Sequence, residues 1–486
     1  MSKKKPSDPA KSGQKGKKIR NTEVYIVTYF FVFLMLAVMG NLVYFQMTQR
    51  ETTINNSYNT RQELLASQNV RGKILASDGQ ILAQTIVDEQ GNEKREYPFG
   101  ELFAHAVGYS TKGKTGVEAM GNMYLLTSNS FIGEKIQNEL DSSKNYGDSV
   151  VTTLNVKLQQ TAFDSLGVYS GAILVTEVSS GKVLAMVSKP DFDPNRILQI
   201  WDEVTTDANS SVLVNRTTQG LYPPGSTFKI ITSLEYFRQK EGSVSGYSYN
   251  CNGSYRDGED RINCYHGTKH GTIDFKKSFE KSCNSSYVNI GLSLDIDRLS
   301  KTAQELYFNK ELPVPFVSNK SSYVLTSADS RYDIMQTSIG QGKTQITPLH
   351  LNMITQAIAN EGQMLTPYMI DRVETYKGVS VKQYGRKVIG QIMEKEEADF
   401  LKGLMCGVVQ NGTATKLRDL SYTAAGKTGS AEYNGEKGDS HAWFTGFAPA
   451  EDPEICVTII VEGAGSGGDY AVPIAKRLFD VYFEKK

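Results

Sequence analysis

A serine followed three residues later by a lysine, Ser226 and Lys229, is the pair in this sequence best placed for acyl-transfer chemistry. The triplet Pro223-Pro224-Gly225 opposes helix before the serine, and the run TFKIITSLEYFRQ favours helix after it. The hydroxyl is therefore predicted at a helix N-terminus, where free backbone N–H groups favour developing negative charge. Lys229 shares that helix face, and a partly desolvated lysine can lose its proton and act as a base. The simpler alternative is a capped helix with a solvated lysine.

A second motif, Lys427-Thr428-Gly429 followed by Ser430, lies in a segment that alternates as a strand does. A cation and a hydroxyl at a strand edge can hold a substrate carboxylate, and a glycine lets another backbone approach closely. The backbone N–H groups of Ser430 and Ser226 could together stabilise an oxyanion. The alternative is an ordinary lysine on an exposed edge strand.

The third motif, Ser282-Cys283-Asn284, lies between the other two and precedes a predicted helix. Its hydroxyl and amide could relay a proton and bind a peptide backbone, or they could simply cap the helix. Each motif alone is weak, because similar patterns recur at Ser2, Ser12, Ser57, Ser67, Lys114, Ser179, Ser248 and Ser278. We therefore expect a function only if the fold brings Ser226, Ser282 and Lys427 into one cleft.

The elements that must position these motifs are predicted from residue periodicity. The run GAILVTEV-SSG-KVLAMVS indicates a hairpin, and YTAAGKTGSAEY, HAWFTGFAPA and EICVTIIVEGAG indicate strands. Helical patterns cover residues 227–239, 275–292, 347–360, 394–409 and 472–483. This order predicts an α+β fold with helices packed on a mostly antiparallel sheet.

The apolar run VYIVTYFFVFLMLAVMGNLVYF predicts a transmembrane helix in residues 23–46, after a basic, disordered cytoplasmic tail in residues 1–22. About 20 apolar residues span the ~30 Å core of a bilayer. A cleaved signal peptide is the alternative, but its apolar region is usually about 7–15 residues, and no Ala-x-Ala site follows here. The lysines and arginines before the run predict a cytoplasmic N-terminus and an extracytoplasmic remainder.

The remaining chain is predicted to form two domains. Residues 47–148 are polar and turn-rich, with short strand-like runs, and hold no cluster of candidate catalytic residues, so they predict a small spacer or interaction domain. Residues 149–486 carry all three motifs and predict the catalytic domain. Lys plus Arg and Asp plus Glu balance at 53 each, so the total charge indicates no nucleic-acid partner.

The ordered set Ser-x-x-Lys, Ser-x-Asn and Lys-Thr-Gly resembles the signature of penicillin-recognising serine acyltransferases. Longer stretches resemble the class B penicillin-binding proteins: NRTTQGLYPPGSTFK, GAILVTEVSSGKVLAMVSKPDFDPN, GQGKTQITPLHL, NGTATKL and HAWFTGFAP. RGKILASDGQILA is similar to the motif that opens the pedestal domain of that class. The short pedestal resembles the penicillin-binding protein A type of Gram-positive bacteria. The resemblance implies a transpeptidase/β-lactamase-like α+β domain on a small mixed pedestal, after one transmembrane helix.

The same resemblance implies peptidoglycan D,D-transpeptidation, with inhibition by β-lactams. Ser226 would attack the terminal D-Ala-D-Ala of a stem peptide, Lys229 would assist it, and Ser282 would pass the proton to the departing D-Ala. The residues implied to bind the donor peptide and its carboxylate are Asn284, Lys427, Thr428, Gly429 and Ser430. The implied partners are stem peptides on the lipid-linked precursor polymer, and a membrane glycan polymerase of the shape, elongation, division and sporulation family.

Three cysteines and one histidine could form a metal site, although the chemistry requires no cofactor. Three thiols and an imidazole are a closed tetrahedral zinc set, and some rod-elongation members of the class carry a metal at similar spacing. A Cys251–Cys264 disulfide and unrelated free thiols remain open as alternatives. The candidate zinc ligands are Cys251, Cys264, His270 and Cys283.

Two other functions remain open from the sequence. A β-lactamase or β-lactam sensor would share the fold and the acylating serine, but a hydrolase needs a further group to activate water, and none is identified. A non-enzymatic scaffold of a wall-synthesis complex would use only the pedestal and the membrane helix, and the intact motifs oppose it. The sequence leaves open a role in elongation, division or sporulation.

Overall fold

The structure is a computed structural model that describes Ser2 and residues 21–48, 61–432 and 440–484. The basic tail predicted to be disordered lies almost entirely outside the described residues. Helix α1, Thr22–Thr48, is predominantly apolar, and at 1.5 Å per residue it is about 40 Å long. Residues Thr22–Met47 are long and apolar enough to cross a membrane. The helix therefore suggests a single-pass membrane anchor.

Residues 60–486 form one compact unit, separate from the unit that contains α1. Helices α2 to α9 of this unit are Arg61–Gln68, Ala104–Val107, Gly116–Met120, Asn122–Leu126, Ile132–Leu140, Val156–Leu166, Ile197–Thr206 and Lys229–Gln239. Helices α10 to α16 are Phe275–Glu280, Asn284–Leu292, Ile296–Glu305, Arg331–Ser338, Pro348–Ala359, Lys395–Asn411 and Ala471–Phe483.

The strands form two larger sheets and several two-stranded pairs. Strands β1 to β10 are Asn69–Val70, Ile74–Leu75, Ile81–Val87, Glu93–Glu96, Asn145–Tyr146, Ser149–Thr152, Gly171–Glu177, Val183–Lys189, Ser248–Cys251 and Ser254–Asp257. Strands β11 to β19 are Asp260–Asn263, Gly271–Asp274, Gln363–Leu365, Ile370–Glu374, Ser380–Gln383, Val388–Gln391, Ala425–Glu432, Ser440–Ala448 and Ile455–Val461.

The sheet beside the motifs is five-stranded and antiparallel, in the order β17-β18-β19-β7-β8. Every residue of β18 and β19 is buried, because helices cover both faces of the sheet. Helix α14, all of whose residues are buried, packs against β19, β18 and β7, and α16 packs against β19. The α+β fold predicted from the sequence is confirmed.

The second sheet joins the pedestal region to the catalytic region in the order β15-β14-β6-β2-β3-β4. Strand β6 pairs with β2 on one side and with β14, more than 200 residues later, on the other. Because this sheet contains strands from both predicted domains, the pedestal is anchored to the catalytic region by backbone hydrogen bonds.

A buried ion-pair cluster lies in the core of the pedestal region. The carboxylate of Glu118 is fully buried and accepts from Arg71 Nε and Arg95 Nε, each at 2.7 Å. The phenol of Tyr97 donates to the same carboxylate at 3.2 Å. Burial alone would raise the pKa of Glu118, but the two guanidinium groups hold it below its ordinary value.

The prediction of one helical segment over residues 275–292 is wrong. The structure has two helices, α10 and α11, separated at Ser282, whose backbone φ is +53°. This left-handed conformation ends the first helix and lets Cys283 cap the second, where its Sγ accepts from the Ser286 N–H. The other predicted helices match the observed ones to within a few residues at each end.

Candidate active site

Ser226 lies in a 3-10 helix, Gly225–Phe228, that runs directly into α9. Gly225 has a φ of +53°, and a Cβ there would lie 2.8 Å from the carbonyl oxygen of Ser430. A Cβ on Gly429 would lie 3.2 Å from both Pro224 O and Thr227 Cγ2. The two glycines therefore let the turn that carries Ser226 pack directly against strand β17.

The segment before Ser226 is held in place by two further hydrogen bonds. The indole of Trp443, on β18, is fully buried and donates from Nε1 to the carbonyl of Pro223 at 3.1 Å. The backbone N–H of Gly225 donates to Gly340 O at 2.9 Å. These contacts fix the position of the serine backbone relative to the sheet.

Lys229 projects from the start of α9 into a buried cluster with the Ser-x-Asn motif. Its Nζ lies 2.7 Å from Ser282 O, 2.7 Å from Asn284 Oδ1 and 3.2 Å from Ser282 Oγ. The first two oxygens can only accept hydrogen bonds. A neutral amine satisfies both with its two protons and retains a lone pair for a hydroxyl.

Lys427 reaches the same hydroxyl from strand β17. Its Nζ lies 3.0 Å from Ser282 Oγ and 2.9 Å from the carbonyl of Thr428. Both lysine side chains are fully buried. Ser282 Oγ is thus the point at which the helix lysine, the strand lysine and the Ser-x-Asn motif meet.

The pKa values of both lysines are displaced downwards. Burial lowers the pKa of Lys229 to about 7, because the charged form is desolvated. Burial, and next the positive charge of Lys229, hold the pKa of Lys427 well below its ordinary value. A neutral amine beside a hydroxyl is therefore available near pH 7, which is what a general base requires.

The other predicted substrate-binding residues lie at the edge of this cluster. Asn284 uses both ends of its amide within the protein, since its Oδ1 accepts from Lys229 and its Nδ2 donates to Asn263 O at 2.9 Å. Ser430 is half-buried on β17, and the N–H of Gly467 approaches its Oγ at 3.4 Å. The structure thus brings all three motifs together.

Two contacts near the motifs were not predicted from the sequence. The hydroxyl of Thr413 lies 2.5 Å from that of Thr428, and Lys229 Nζ lies 5.2 Å from the centroid of the Tyr287 ring. Thr413 belongs to the NGTATKL run and Tyr287 follows the Ser-x-Asn motif by three residues, but neither spacing indicated these contacts. His441, on β18, is buried, and its Nδ1 accepts a hydrogen bond from the Gly463 N–H at 3.2 Å.

The predicted metal ligands Cys251, Cys264, His270 and Cys283 form a cluster within 4.8 Å of one another, beside the Ser-x-Asn motif. The Cys251–Cys264 and Cys264–Cys283 Sγ distances are both 3.7 Å, and Cys251 Sγ lies 3.3 Å from His270 Nδ1. The Cys251–Cys264 disulfide is not formed in this structure, because a disulfide needs about 2.05 Å.

Comparison with known families decides what kind of protein has this arrangement. Residues 171–480 match the penicillin-binding protein transpeptidase domain, and residues 71–150 match the penicillin-binding protein A dimerisation domain. The chain belongs to the penicillin-binding protein transpeptidase family. The family resemblance stated from the three motifs is therefore confirmed.

Members of the penicillin-binding protein family are similar to this chain over most of its length. The peptidoglycan D,D-transpeptidase PbpA of Mycolicibacterium smegmatis is 29% identical, over 94% of this chain and 98% of that protein. The imipenem acyl-enzyme complex of penicillin-binding protein A from M. tuberculosis is 27% identical, with a TM-score of 0.77, covering 86% of this chain and 99% of that one. A D,D-transpeptidase domain from Eggerthella lenta is 30% identical, with a TM-score of 0.76, covering 86% of this chain and 99% of that one.

Proposed function

We propose that this protein is a peptidoglycan D,D-transpeptidase that cross-links stem peptides through an acyl-enzyme on Ser226 and is inhibited by β-lactams. The observation that carries the proposal is that two fully buried lysines, Lys229 and Lys427, converge on Ser282 Oγ. Lys229 lies one helical turn after Ser226 in the sequence. The related acyl-enzyme complexes support it.

In the first half-reaction, Ser226 Oγ attacks the carbonyl carbon of the penultimate D-Ala of a donor stem. Neutral Lys229 takes the serine proton, and a tetrahedral intermediate forms. The peptide C–N bond then breaks, and a proton returns through Ser282 to the departing D-Ala amine. The products are an ester on Ser226 and free D-Ala.

In the second half-reaction, an amine from a neighbouring stem attacks the ester carbonyl. Its excess proton passes to Lys229 and then to Ser226, which leaves as a free hydroxyl. The new peptide bond replaces the one broken in the donor. Burial of the lysines makes this proton exchange feasible near neutral pH, because the amine has no strong preference for its charged form.

The substrate contacts follow from the edge position of β17. The backbone N–H groups of Ser226 and Ser430 are proposed to bind the oxyanion. Lys427, Thr428 and Ser430 are proposed to hold the terminal carboxylate, and Gly429 lets the donor backbone approach. Asn284 is proposed to contact the donor peptide.

The proposed reaction is tested with the full-length protein and lipid-linked glycan strands that bear pentapeptide stems. We expect cross-linked muropeptides and stoichiometric release of D-Ala, both blocked by penicillin G. Rapid turnover of penicillin without cross-links would favour the β-lactamase alternative. Unchanged cross-linking and cell shape in a strain with Ser226→Ala would favour the scaffold.

The hydroxyl of Thr428 gives a prediction on carboxylate binding. Replacing Thr428 by valine removes a charge-assisted hydrogen bond of about 1.5–3 kcal/mol, so acylation by carboxylate-bearing β-lactams should slow about 10- to 100-fold. Thr428→Ser, the matched control, should stay within a few-fold of the native rate. Equal acylation rates for the valine and serine variants, measured by stopped-flow fluorescence, would contradict this role.

We also propose a structural zinc ion at Cys251, Cys264, His270 and Cys283. Sulfur ligands about 2.3 Å from a tetrahedral centre lie about 3.7 Å apart, and the Cys251–Cys264 and Cys264–Cys283 Sγ separations are both 3.7 Å. The hydroxyl of Ser285 donates to Cys251 Sγ at 3.0 Å, as a supporting group around bound thiolates does. The ion would tie β9 and the start of α11 together beneath Ser282.

Metal content tests the zinc proposal. Protein purified without chelators should contain about one equivalent of zinc, and Cys283→Ser should lose most of it, because a hydroxyl is a poor zinc ligand. Cys456→Ser, a buried cysteine outside the cluster, is the control and should retain the metal. Less than about a tenth of an equivalent in the native protein would end the proposal.

The orientation and partners are likewise proposals. The basic residues before α1 support a cytoplasmic N-terminus and an extracytoplasmic catalytic region. The two family matches support a division into a pedestal at residues 47–148 and a catalytic domain at residues 149–486. A glycan polymerase of the shape, elongation, division and sporulation family is the proposed partner.

A further inference from the structure

Helix α6 of the pedestal region has its apolar side turned outward. None of its nine residues is buried. Phe131, just before the helix, is 75% exposed, and Ile132, Ile136 and Leu140 are 67%, 53% and 74% exposed. The last three are spaced four residues apart and therefore share one face of the helix.

The opposite, polar side of α6 makes the contacts that attach it to the domain. Glu134 pairs with Lys377 at 2.5 Å, and Asn138 donates to Asn145 Oδ1 at 3.0 Å. Lys135 donates to a backbone carbonyl at 2.7 Å. A surface helix normally buries its apolar face and exposes its polar one. The reversal on α6 indicates that the apolar face contacts something outside the domain.

The size of the face marks it as a contact surface. Four side chains exposed to this degree offer roughly 500 Å² of apolar surface, at the upper range for soluble monomers. A stable protein interface takes about 800 Å² of mixed polar and apolar surface from each partner, and the partner must have a complementary shape. A lipid surface needs no such complementarity.

Helix α6 packs in the part of the domain whose chain is joined to α1 by a short connection. Only residues 49–60 separate α1 from α2, and twelve residues extend to at most about 43 Å. After α6 the chain enters β5, which pairs with β1 immediately after α2, and Lys144 Nζ donates to Ala66 O on α2 at 3.3 Å. The apolar helix thus lies in the part of the domain that directly follows the anchor.

We propose that the apolar face of α6 inserts into the surface of the lipid bilayer and fixes the height and tilt of the catalytic region above the membrane. Tethering by α1 keeps the local lipid concentration high, so a modest intrinsic affinity suffices. The helix carries Glu139 near this face and no excess of basic residues, so contact with acyl chains, not attraction to anionic headgroups, provides the binding. The proposal is independent of the acyl-transfer activity.

The proposal is tested with full-length protein in phosphatidylcholine liposomes, with and without bromine on the acyl chains. Ile136→Trp places a fluorophore at the centre of the face, and Val168→Trp, at a 99% exposed valine of the catalytic region, is the matched control. Unsubstituted protein gives the background from Trp201 and Trp443.

Because an interfacial helix buries its apolar side about 5–10 Å deep, the added emission of Ile136→Trp should fall at least about twofold in brominated lipid. Emission from Val168→Trp should not change. Equal quenching of the two variants would overturn the proposal. A blue-shifted, unquenched emission that grows with protein density would also overturn it and would assign the face to a second copy.

Discussion

Replacing Lys229 by alanine is expected to slow the acylation of Ser226 by penicillin at least about a thousandfold. The amine is fully buried, its proton acceptors are arranged around it, and it lies one helical turn from the serine. No other described side chain on α9 can replace it as a base at this position. Second-order acylation rates, measured with a fluorescent penicillin, give the comparison.

A surface lysine supplies the control for this variant. Lys301, whose side chain is 78% exposed, pairs only loosely with Glu305, so Lys301→Ala should acylate at the native rate. If Lys229→Ala retained more than about a tenth of the native rate, proton transfer by this lysine would not limit acylation.

The acylation rate of the native protein should rise with pH through about 7 and then level off. The neutral form of Lys229 is the active base, and burial lowers its pKa, so the base forms as pH increases past that value. The expected profile is a single ascending limb between pH 6 and 8, as judged from rates at constant ionic strength. A flat profile over this range would contradict assignment of Lys229 as the base.

The second large effect concerns stability. Glu118→Ala is expected to destabilise the folded protein by about 3–5 kcal/mol, because it leaves the buried guanidinium groups of Arg71 and Arg95 without their counter-ion. The midpoint of unfolding of Glu118→Ala should lie at a markedly lower denaturant concentration than that of the native protein. Circular dichroism of both proteins in detergent measures the two midpoints.

An exposed ion pair of the same region provides the comparison for Glu118. Lys144 and Glu93 lie 2.6 Å apart but are 40% and 27% exposed, so Glu93→Ala should change stability by less than about 1 kcal/mol. Similar shifts for Glu118→Ala and Glu93→Ala would mean that the Arg71–Glu118–Arg95 cluster does not hold the pedestal together.

The sequence predicted the catalytic sheet well, because its strands carry strong local signals. The Ser-Gly turn of GAILVTEV-SSG-KVLAMVS specifies the β7–β8 hairpin, which the structure contains. Helix α14 begins with Thr347 as cap and Pro348 in its first turn, a pattern readable from sequence. Such elements depend on neighbouring residues alone.

The break at Ser282 could not be predicted, because it depends on residues far away in the chain. Its left-handed backbone costs about 1–2 kcal/mol and is held by contacts with Lys229 and Lys427. The meeting of both lysines on one hydroxyl, and the bond from Trp443 to Pro223, likewise join segments more than 50 residues apart. Motif order indicated that these residues act together but gave none of the distances.

The most direct test of the proposed chemistry is the mass of the intact protein after exposure to penicillin G, followed by peptide mapping. We expect one penicillin per chain, attached through an ester to Ser226 and stable for longer than the time of isolation. Ser226→Ala should gain no mass. A label on any residue other than Ser226, or no stable label on the folded native protein, would contradict acyl transfer through this serine.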